Sequence, residues 1–506
     1  MTAVSYAHAS LRQPGLSQLL RGFARVPDGL DRSVQALVLD SRRVRPGDVF
    51  VALSGTRTHG MNYAPAARDS GACMVLYEPA GAGATPEGLP ALAVPDLGRR
   101  LGAIAGRWHG EPSLRLHVVG ITGTDGKTST AHYLAQCLHD GHRACALLGT
   151  VGYGYPGELT AAGHTTPDAI ALQRELARFV DDGARYTVME VSSHALDQHR
   201  VGGVHFDTAV LTNLSRDHLD YHGTVEAYAE AKRNLFRVAG LRTAVLNTDD
   251  VLGMDLARRG VLHVETIAYG LNHGEAMGTA ARYVSAKEVR SHDGGLTLVL
   301  ESSWGSGLLH ARVLGRFNAY NLLAAAAVML GMDLPLDEVI RRLSQVRNAP
   351  GRMECFGGAD RPLVVVDFAH TPAALGNALE ALRMHVQGRL ICVFGCGGNR
   401  DVGKRALMGA AAERLADAVY LTDDNPRHEN GARIIADILG GMNEPSRAIV
   451  ERDRGNAIVQ AMGEAGPGDI ILVAGKGHED SQQIGDRRVP HSDREWVRRL
   501  CGEGPA

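Results

Sequence analysis

Apolar positions along this chain follow two rhythms. Short runs rich in Val, Ile and Leu, bounded by glycine or polar residues, predict buried strands, and stretches with a three-to-four-residue apolar repeat predict helices. In the first hundred residues, Val34–Leu39, Val49–Leu53 and Met74–Tyr77 read as strands and Leu97–Trp108 as a helix, which makes a small α/β unit. From Leu116 the order becomes strand, glycine loop, helix, strand: LHVVG, then GTDGKTST, a helix over Thr130–Leu138, and YTVMEV at Tyr186–Val191. That alternation predicts a parallel sheet. A second alternation begins after Pro350, with LVVVD, a helix over Ala373–Met384, RLICVFG, a helix over Lys404–Ala416, AVYLT, another helix and DIILVAG, and it predicts a separate doubly wound domain. The expected organisation is therefore α/β throughout, in three domains spanning 1–110, 111–349 and 350–506.

The longest apolar run, Leu322–Met332, is short of the ~20 residues that a membrane span requires and reads as a core helix. With 506 residues, 44% hydrophobic and 22% charged, the chain has the composition of a soluble globular protein of several domains. A formal net charge of −3 supplies no basic field for nucleic acid, so an anionic substrate has to be held by local arginines and backbone N–H groups. The seven cysteines form no C-x-x-C pair, and MTAVSYAHASLRQ lacks the basic and apolar segments of a leader. A reduced cytoplasmic protein without structural zinc or membrane contact is expected.

The clearest chemistry lies at Gly120–Ser129. Gly123, Thr124, Asp125 and Gly126 form a loop after an apolar strand, and Lys127, Thr128 and Ser129 open the following helix. Such a loop turns backbone N–H groups toward phosphate oxygens, the lysine adds charge, and the threonine hydroxyl can hold Mg²⁺. Ile121 occupies the first glycine position of the strict G-x-x-x-x-G-K-[ST] pattern, so the competing reading is a glycine-rich turn with an exposed lysine. Glu190 ends the strand YTVMEV, where ligands of parallel sheets gather, and is a candidate second metal contact.

A lysine on an apolar stripe is the second candidate. Val225, Tyr228, Ala229, Leu235 and Phe236 mark one helical face, and Lys232 falls on it. Burial would lower the pKa of its amine and let carbon dioxide add; snorkelling to solvent, or pairing with an acid, is the alternative. His218 and His222 have helical spacing, but HLDYH lacks the glutamate of a zinc hydrolase motif and is expected in a loop. His194, His199 and His205 read as structural. Ser192 and Ser193 adjoin His194 without the G-x-S-x-G elbow of a serine hydrolase. Gly395, Gly397 and Gly398 suggest a dinucleotide fingerprint, but Arg400 stands where its last glycine belongs.

LDSRRVRPGDVFVALSG, GITGTDGKTST, HTTPD, MEVSSHALDQHRV, LTNLSRDHLDYHGTVEAYAEAKRNLF, GRFNAYN, PGRME, DFAHTP, GCGGNRDVGKR, DNPR and AGKGHED together closely resemble the Mur ligase family across nearly the whole chain. The resemblance implies an N-terminal domain for a UDP-sugar peptide, a central P-loop-type ATPase domain and a C-terminal Rossmann-like domain for an incoming amino acid. It implies an ATP- and Mg²⁺-dependent ligase that joins meso-2,6-diaminopimelate to UDP-N-acetylmuramoyl-L-alanyl-D-glutamate through an acyl phosphate. By the same resemblance, Lys232 becomes a carbamate that binds Mg²⁺ beside Thr128, Glu190 and His218. Leu39, Ser41, Thr56, Arg57 and Thr58 would line the uridine end, and His164, Thr165, Thr166, Ser192, Gln198 and Arg200 the sugar peptide. Asn318, Arg352 and Asp367 would lie near the ATP ribose and base. Arg400, Asp424, Asn425, Pro426, Arg427, Gly475 and Glu479 would surround the amino acid. Asp125, His164 and Phe368 depart from the commonest family residues, Asn, Asn and Tyr. A folylpolyglutamate-synthetase-like enzyme or a lysine-adding relative shares the fold, and outside the class stand a dehydrogenase and a non-catalytic nucleotide-binding regulator. Standing alone, Asp424–Arg427 also reads as a type I turn with a surface arginine.

Overall fold

The computed structural model describes residues 14–55, 58–139, 145–260, 264–272, 280–292 and 295–502. Three larger sheets follow one another along the chain. The first is parallel and runs in sequence order: β1 (Leu37–Val38), β2 (Val49–Ala52), β3 (Met74–Tyr77) and β4 (Ala91–Ala93). The strand predicted over 34–39 shortens to two residues, because Val34 turns into the core and Ser33 bridges to Gly15 instead. The helix Leu97–Trp108 forms as read, burying Leu97, Leu101, Ile104 and Ala105, and its core continues into Ala169 and Ile170 of the next region. At Gly102 the helix backbone meets the loop after Arg200 so closely that a Cβ would stand 1.7 Å from Gly202 O.

The central sheet has eleven strands. β5 (His117–Thr122), β6 (Cys145–Leu148), β9 (Tyr186–Glu190), β10 (Thr208–Leu211), β11 (Thr243–Asn247), β12 (Glu265–Gly270) and β13 (Arg282–His292) pair in parallel in the order β13-β12-β11-β10-β5-β9-β6. Antiparallel additions lengthen both edges: β14 (Gly295–Ser302) and β15 (Gly305–Ala311) beyond β13, and β7 (Tyr153–Tyr155) and β8 (Glu158–Thr160) beyond β6. The parallel reading of the sequence does not contain these hairpins. The outer half of β13, Lys287–His292, is polar except for Val289 and has no buried residue, so it resembles a loop until the partner strand is known.

Helices cover both faces. Lys127–Leu138 and Phe317–Gly331 pack on one side, and Ala169–Asp181 and Val225–Arg233 on the other. In Phe317–Gly331 every residue from Leu322 to Leu330 is buried, which accounts for its unbroken apolar run. Among the described residues no helix is long and apolar enough to cross a membrane.

The third sheet has the order β16-β17-β21-β18-β19-β20, with β16 (Glu354–Gly357) antiparallel and β17 (Leu363–Asp367), β18 (Leu390–Phe394), β19 (Ala418–Leu421), β20 (Ile449–Val450) and β21 (Ile470–Ala474) parallel. A hairpin, β22 (Ser481–Ile484) and β23 (Arg487–Pro490), follows. Two fully buried arginines stiffen this region. Arg454 makes paired hydrogen bonds of 2.7 and 2.8 Å to Asp493 and a third to Ala474 O at the end of β21. Arg405 bridges Glu429 and Asp437 and donates to Gly397 O. Each leaves one buried guanidinium nitrogen without a partner among the described residues.

Candidate active site

The loop between β5 and the helix Lys127–Leu138 is the candidate phosphate site, and it joins strand to helix as the sequence predicts. Gly126 caps the helix in the left-handed region at φ 80°, and a Cβ there would press to 2.4 Å from Asn321 Oδ1, so only glycine fits. Neighbouring strands hold the loop: Thr124 N donates to Asn213 O at 2.9 Å, Asp125 N to Asn213 Oδ1 at 2.9 Å, and Thr212 Oγ1 to Asp125 O at 2.6 Å. These bonds use the backbone of Asp125 and leave its side chain exposed. Behind the loop, Thr128 Oγ1 donates to Glu190 Oε2 at 2.9 Å. Glu190 is 1% exposed and also accepts from Thr150 N at 2.8 Å and Thr150 Oγ1 at 3.2 Å. Ser129 stands half-buried in the first turn of the helix.

Two lysines converge on one carbonyl. Lys127 Nζ donates to Gly123 O at 2.9 Å and Thr124 O at 2.8 Å, while Lys232 Nζ donates to the same Gly123 O at 2.7 Å. Lys232 is 1% exposed on Val225–Arg233 and lies 4.3 Å from the centre of the Tyr228 ring. It does not reach solvent. Burial, and next the charge of Lys127, hold its amine well below the usual lysine range. Burial also lowers the Lys127 amine, against the opposing pull of Glu190 and Asp125.

His218 occupies a left-handed residue ahead of a short helix, Leu219–His222, which replaces the loop expected for HLDYH. Its ring is 6.2 Å from that of Tyr228, the ring that Lys232 also approaches, and 5.0 Å from that of His194. His194 and His222 belong to this aromatic cluster, and His222 Nε2 lies 3.0 Å from Ser193 Oγ. Ser193 is 2% exposed, so this hydroxyl is packed inside the cluster rather than presented to a substrate.

The sugar-peptide candidates form one connected edge. Thr166 Oγ1 donates to Glu190 O at 2.9 Å and accepts from Ser192 N at 3.1 Å, while Thr165 Oγ1 lies 3.0 Å from Thr150 Oγ1. Arg200 donates to Thr166 O and to Gln198 Oε1, and Gln198 Nε2 donates to Tyr221 OH at 3.0 Å. His164 contributes its carbonyl to Tyr153 OH. At the N-terminal end, Ser41 opens a short helical turn capped by Asp40, next to half-buried Leu39. Thr58 Oγ1 accepts from Asn62 at 2.7 Å; Thr56 and Arg57 lie outside the described residues.

At the expected nucleoside end, the chain occupies several of the polar groups itself. Asn318 donates to Leu314 O at 2.7 Å and accepts from Asn321 at 2.8 Å, which links it to the phosphate loop through Asn321. Both oxygens of Asp367 accept backbone N–H groups, from Met353 and Ala369, and burial raises its pKa against the pull of Arg352. Arg352 lies over the Phe368 ring at 4.5 Å with its buried Nε unpartnered among the described residues. A phenylalanine thus serves the stacking role without a hydroxyl.

In the third region Asp424, Asn425 and Pro426 are buried, and Arg427 is half-buried and left-handed at φ 51°. Arg427 N donates to Gln483 O and its guanidinium to Gly398 O at 2.8 Å, which fixes the side chain over the loop after β18. Gly475 brings its backbone against Asp424, where a Cβ would lie 2.7 Å from Oδ2. Arg400 is exposed and has no hydrogen bond or ion pair within the described residues. Glu479 Oε2 accepts from Lys476 Nζ at 2.7 Å and from Asn425 Nδ2 at 2.9 Å. Burial raises the Glu479 carboxyl, and the Lys476 charge with these hydrogen bonds more than offsets it, holding the group below its usual range. Sequence reasoning passed over Thr150, Arg405, Glu429, Lys476 and Gln483. Only Lys476 carried a signal, as the charged residue between two glycines in AGKGHED.

Models of the Mur ligase family match the chain in three places: the family's catalytic domain at 33–108, the Mur ligase middle domain at 121–329 and the glutamate ligase domain at 351–477. The UDP-N-acetylmuramoyl-L-alanyl-D-glutamate--2,6-diaminopimelate ligase of Alkalilimnicola ehrlichii is 52% identical over 96% of this chain and 99% of its own. The ligase of the same name from Pseudomonas aeruginosa is 49% identical over 93% and 95%. A solved structure of a ligase bearing that name aligns at 35% identity with a TM-score of 0.71, covering 97% of this chain and 99% of that one.

Proposed function

The chain belongs to the Mur ligase family, and we propose that it joins meso-2,6-diaminopimelate to UDP-N-acetylmuramoyl-L-alanyl-D-glutamate in peptidoglycan precursor synthesis, converting ATP to ADP and phosphate. The observation that carries this reading is the pair Lys127 and Lys232 on Gly123 O, in the same loop-to-helix segment as the Thr128–Glu190 pair. Lys127 Nζ has only carbonyl partners among the described residues, which suits a polyphosphate. The hydroxyl and carboxylate are the hard oxygen donors that Mg²⁺ prefers, with phosphate and water supplying the rest.

Residues 1–110, 111–349 and 350–506 act as the sugar-peptide, ATP and amino-acid domains in this reading. ATP's γ-phosphoryl group passes to the glutamate carboxylate of the sugar dipeptide, and the amine of diaminopimelate displaces phosphate from the resulting acyl phosphate. Bound Mg²⁺ supplies positive charge to the phosphates. Lys127 screens negative charge as it shifts during transfer, and the first N–H groups of Lys127–Leu138 hold the phosphate oxygens. Neutral Lys232 attacks carbon dioxide through nitrogen and releases a proton, giving a carbamate at the Gly123 turn. Gln198 and Arg200 orient the dipeptide. Asp424 and Glu479 receive ammonium groups, and Arg427 pairs with the carboxylate at the far end of diaminopimelate, which lysine lacks. The free thiols of all seven cysteines fit a reducing cytoplasm.

A phosphate-release assay tests the reading. Release should require ATP, Mg²⁺, the sugar dipeptide and diaminopimelate together, and lysine should substitute poorly. Turnover with a folate acceptor and glutamate in place of these substrates would overturn it.

A further inference from the structure

Beneath the proposed amino-acid subsite lies a buried cation that the reaction scheme leaves without a task. Lys476 is 0% exposed, and its ammonium has two partners among the described residues: Glu479 Oε2 at 2.7 Å and Asn425 Oδ1 at 3.2 Å. Asn425 Oδ1 also accepts from Gln483 N at 2.8 Å, so two donors fix which end of the amide is oxygen. Its Nδ2 must then face Glu479, where it donates at 2.9 Å. Glu479 Oε2 is thereby filled by two donors, and Oε1 accepts no hydrogen bond within the described residues, on a side chain 35% exposed. One oxygen is anchored and the other is presented.

We propose that Lys476 is a positioning residue of the amino-acid subsite: it ties the loop after β19 to the loop after β21 and aims the free oxygen of Glu479 at the ammonium of the incoming diamino acid. The inference rests on the proposed amino-acid substrate. Two effects follow. Glu479 keeps one orientation before substrate arrives, so little side-chain freedom is lost on binding. It also keeps its charge despite burial. The other groups around it leave that task to Lys476: His478 is held at about 4 by burial and by Arg352 and is neutral, Asp424 and Asp480 are carboxylates, and Arg454 is already paired with Asp493.

The test is steady-state kinetics of full-length Lys476→Met beside the unmutated enzyme. The KM for diaminopimelate should rise about 10- to 100-fold, the effect of losing a charge-assisted hydrogen bond, while kcat and the KM values for ATP and sugar dipeptide stay within about threefold. Without the ammonium, burial pushes the Glu479 carboxyl up. The variant's KM for diaminopimelate should therefore climb as pH falls from about 8 to 6, where the unmutated enzyme stays flat. Adding Glu479→Gln to Lys476→Met should worsen KM no further than Glu479→Gln alone. An unchanged KM, equal losses for all three substrates, or additive losses would overturn the proposal. If Lys476→Met fails to fold, Lys476→Gln takes its place. Independently, ¹³C NMR of the unmutated enzyme, with Glu479 assigned by Glu479→Gln, should show this carboxylate ionised at about pH 5.5, and protonation there overturns the idea. An unmutated enzyme that does not use diaminopimelate would refute the proposed function instead, which separates the two failures.

Discussion

The phosphate loop and the amino-acid loops treat buried charge in opposite ways. At the phosphate loop, Lys127 and Lys232 share a neutral carbonyl, and the buried carboxylate of Glu190 is engaged by Thr128 and Thr150. In the C-terminal region each buried cation has an acid: Lys476 with Glu479, Arg405 with Glu429 and Asp437, Arg454 with Asp493. The first site is electrically incomplete and needs its ligands to balance it. The second is balanced in advance and offers directed, single-oxygen or guanidinium contacts. Incomplete charge suits attraction and screening of a polyanion, whereas balanced charge suits discrimination between two similar amino acids.

The largest effect expected from this contrast is at Lys127. Lys127→Ala should lower turnover about 10³-fold while the circular dichroism spectrum stays unchanged. Near-normal turnover in a folded variant would remove the lysine from the mechanism and with it half of the contrast. Lys232→Ala should cost about 100-fold, and acetate should partly restore activity by supplying carboxylate oxygens. The pH dependence has a definite sign. Lys232 reacts with carbon dioxide only as the neutral amine, and its lowered pKa preserves that form to lower pH than an ordinary lysine. Reactivation of bicarbonate-depleted enzyme should thus remain fast through neutral pH and slow as pH falls through the folded-state value. Reactivation that requires pH near that of a free lysine amine would refute this.

On the balanced side, Arg427→Ala should raise the KM for diaminopimelate about 10- to 100-fold and shrink the preference over lysine, since a charge-assisted contact is lost. Wild-type selectivity in that variant would move recognition elsewhere. The smallest change is expected at Thr150→Val, which deletes one of the contacts on Glu190 and leaves the Thr150 N–H bond. A rise of about fivefold in the KM for ATP corresponds to one ordinary hydrogen bond. A loss comparable to that of Lys127→Ala would show that the acid's orientation matters as much as the loop's charge.

The sequence was most legible where a local rule decides. The glycine loop, the strands of the two alternating regions and the helix Leu97–Trp108 follow from periodicity and loop chemistry. The burial of Lys232 followed from its stripe. What stayed hidden needs a partner distant in the chain. The β13–β15 hairpins look polar on one face until paired, Thr150 reaches Glu190 across forty residues, and Lys476 meets Asn425 across fifty-one. The occupied amides of Asn318 and carboxylate of Asp367 were equally unreadable, because motif spacing says which side chains gather and nothing about which hydrogen bonds they have already made.

The contact between Gly102 and the loop at Gly202 has a consequence for how this protein can change over generations. The helix Leu97–Trp108 touches that loop backbone to backbone, with 1.7 Å left for a Cβ at residue 102 and 2.5 Å at residue 203, where φ is 74°. Gln198 and Arg200 ride on the same loop. Any side chain at either glycine wedges the helix away from the sugar-peptide edge, and no neighbouring substitution can make room, because the obstacle is main chain. Drift at these positions is closed from both sides. A lineage could alter its sugar-peptide contacts one residue at a time, but it could not revise this joint without rebuilding helix and loop together.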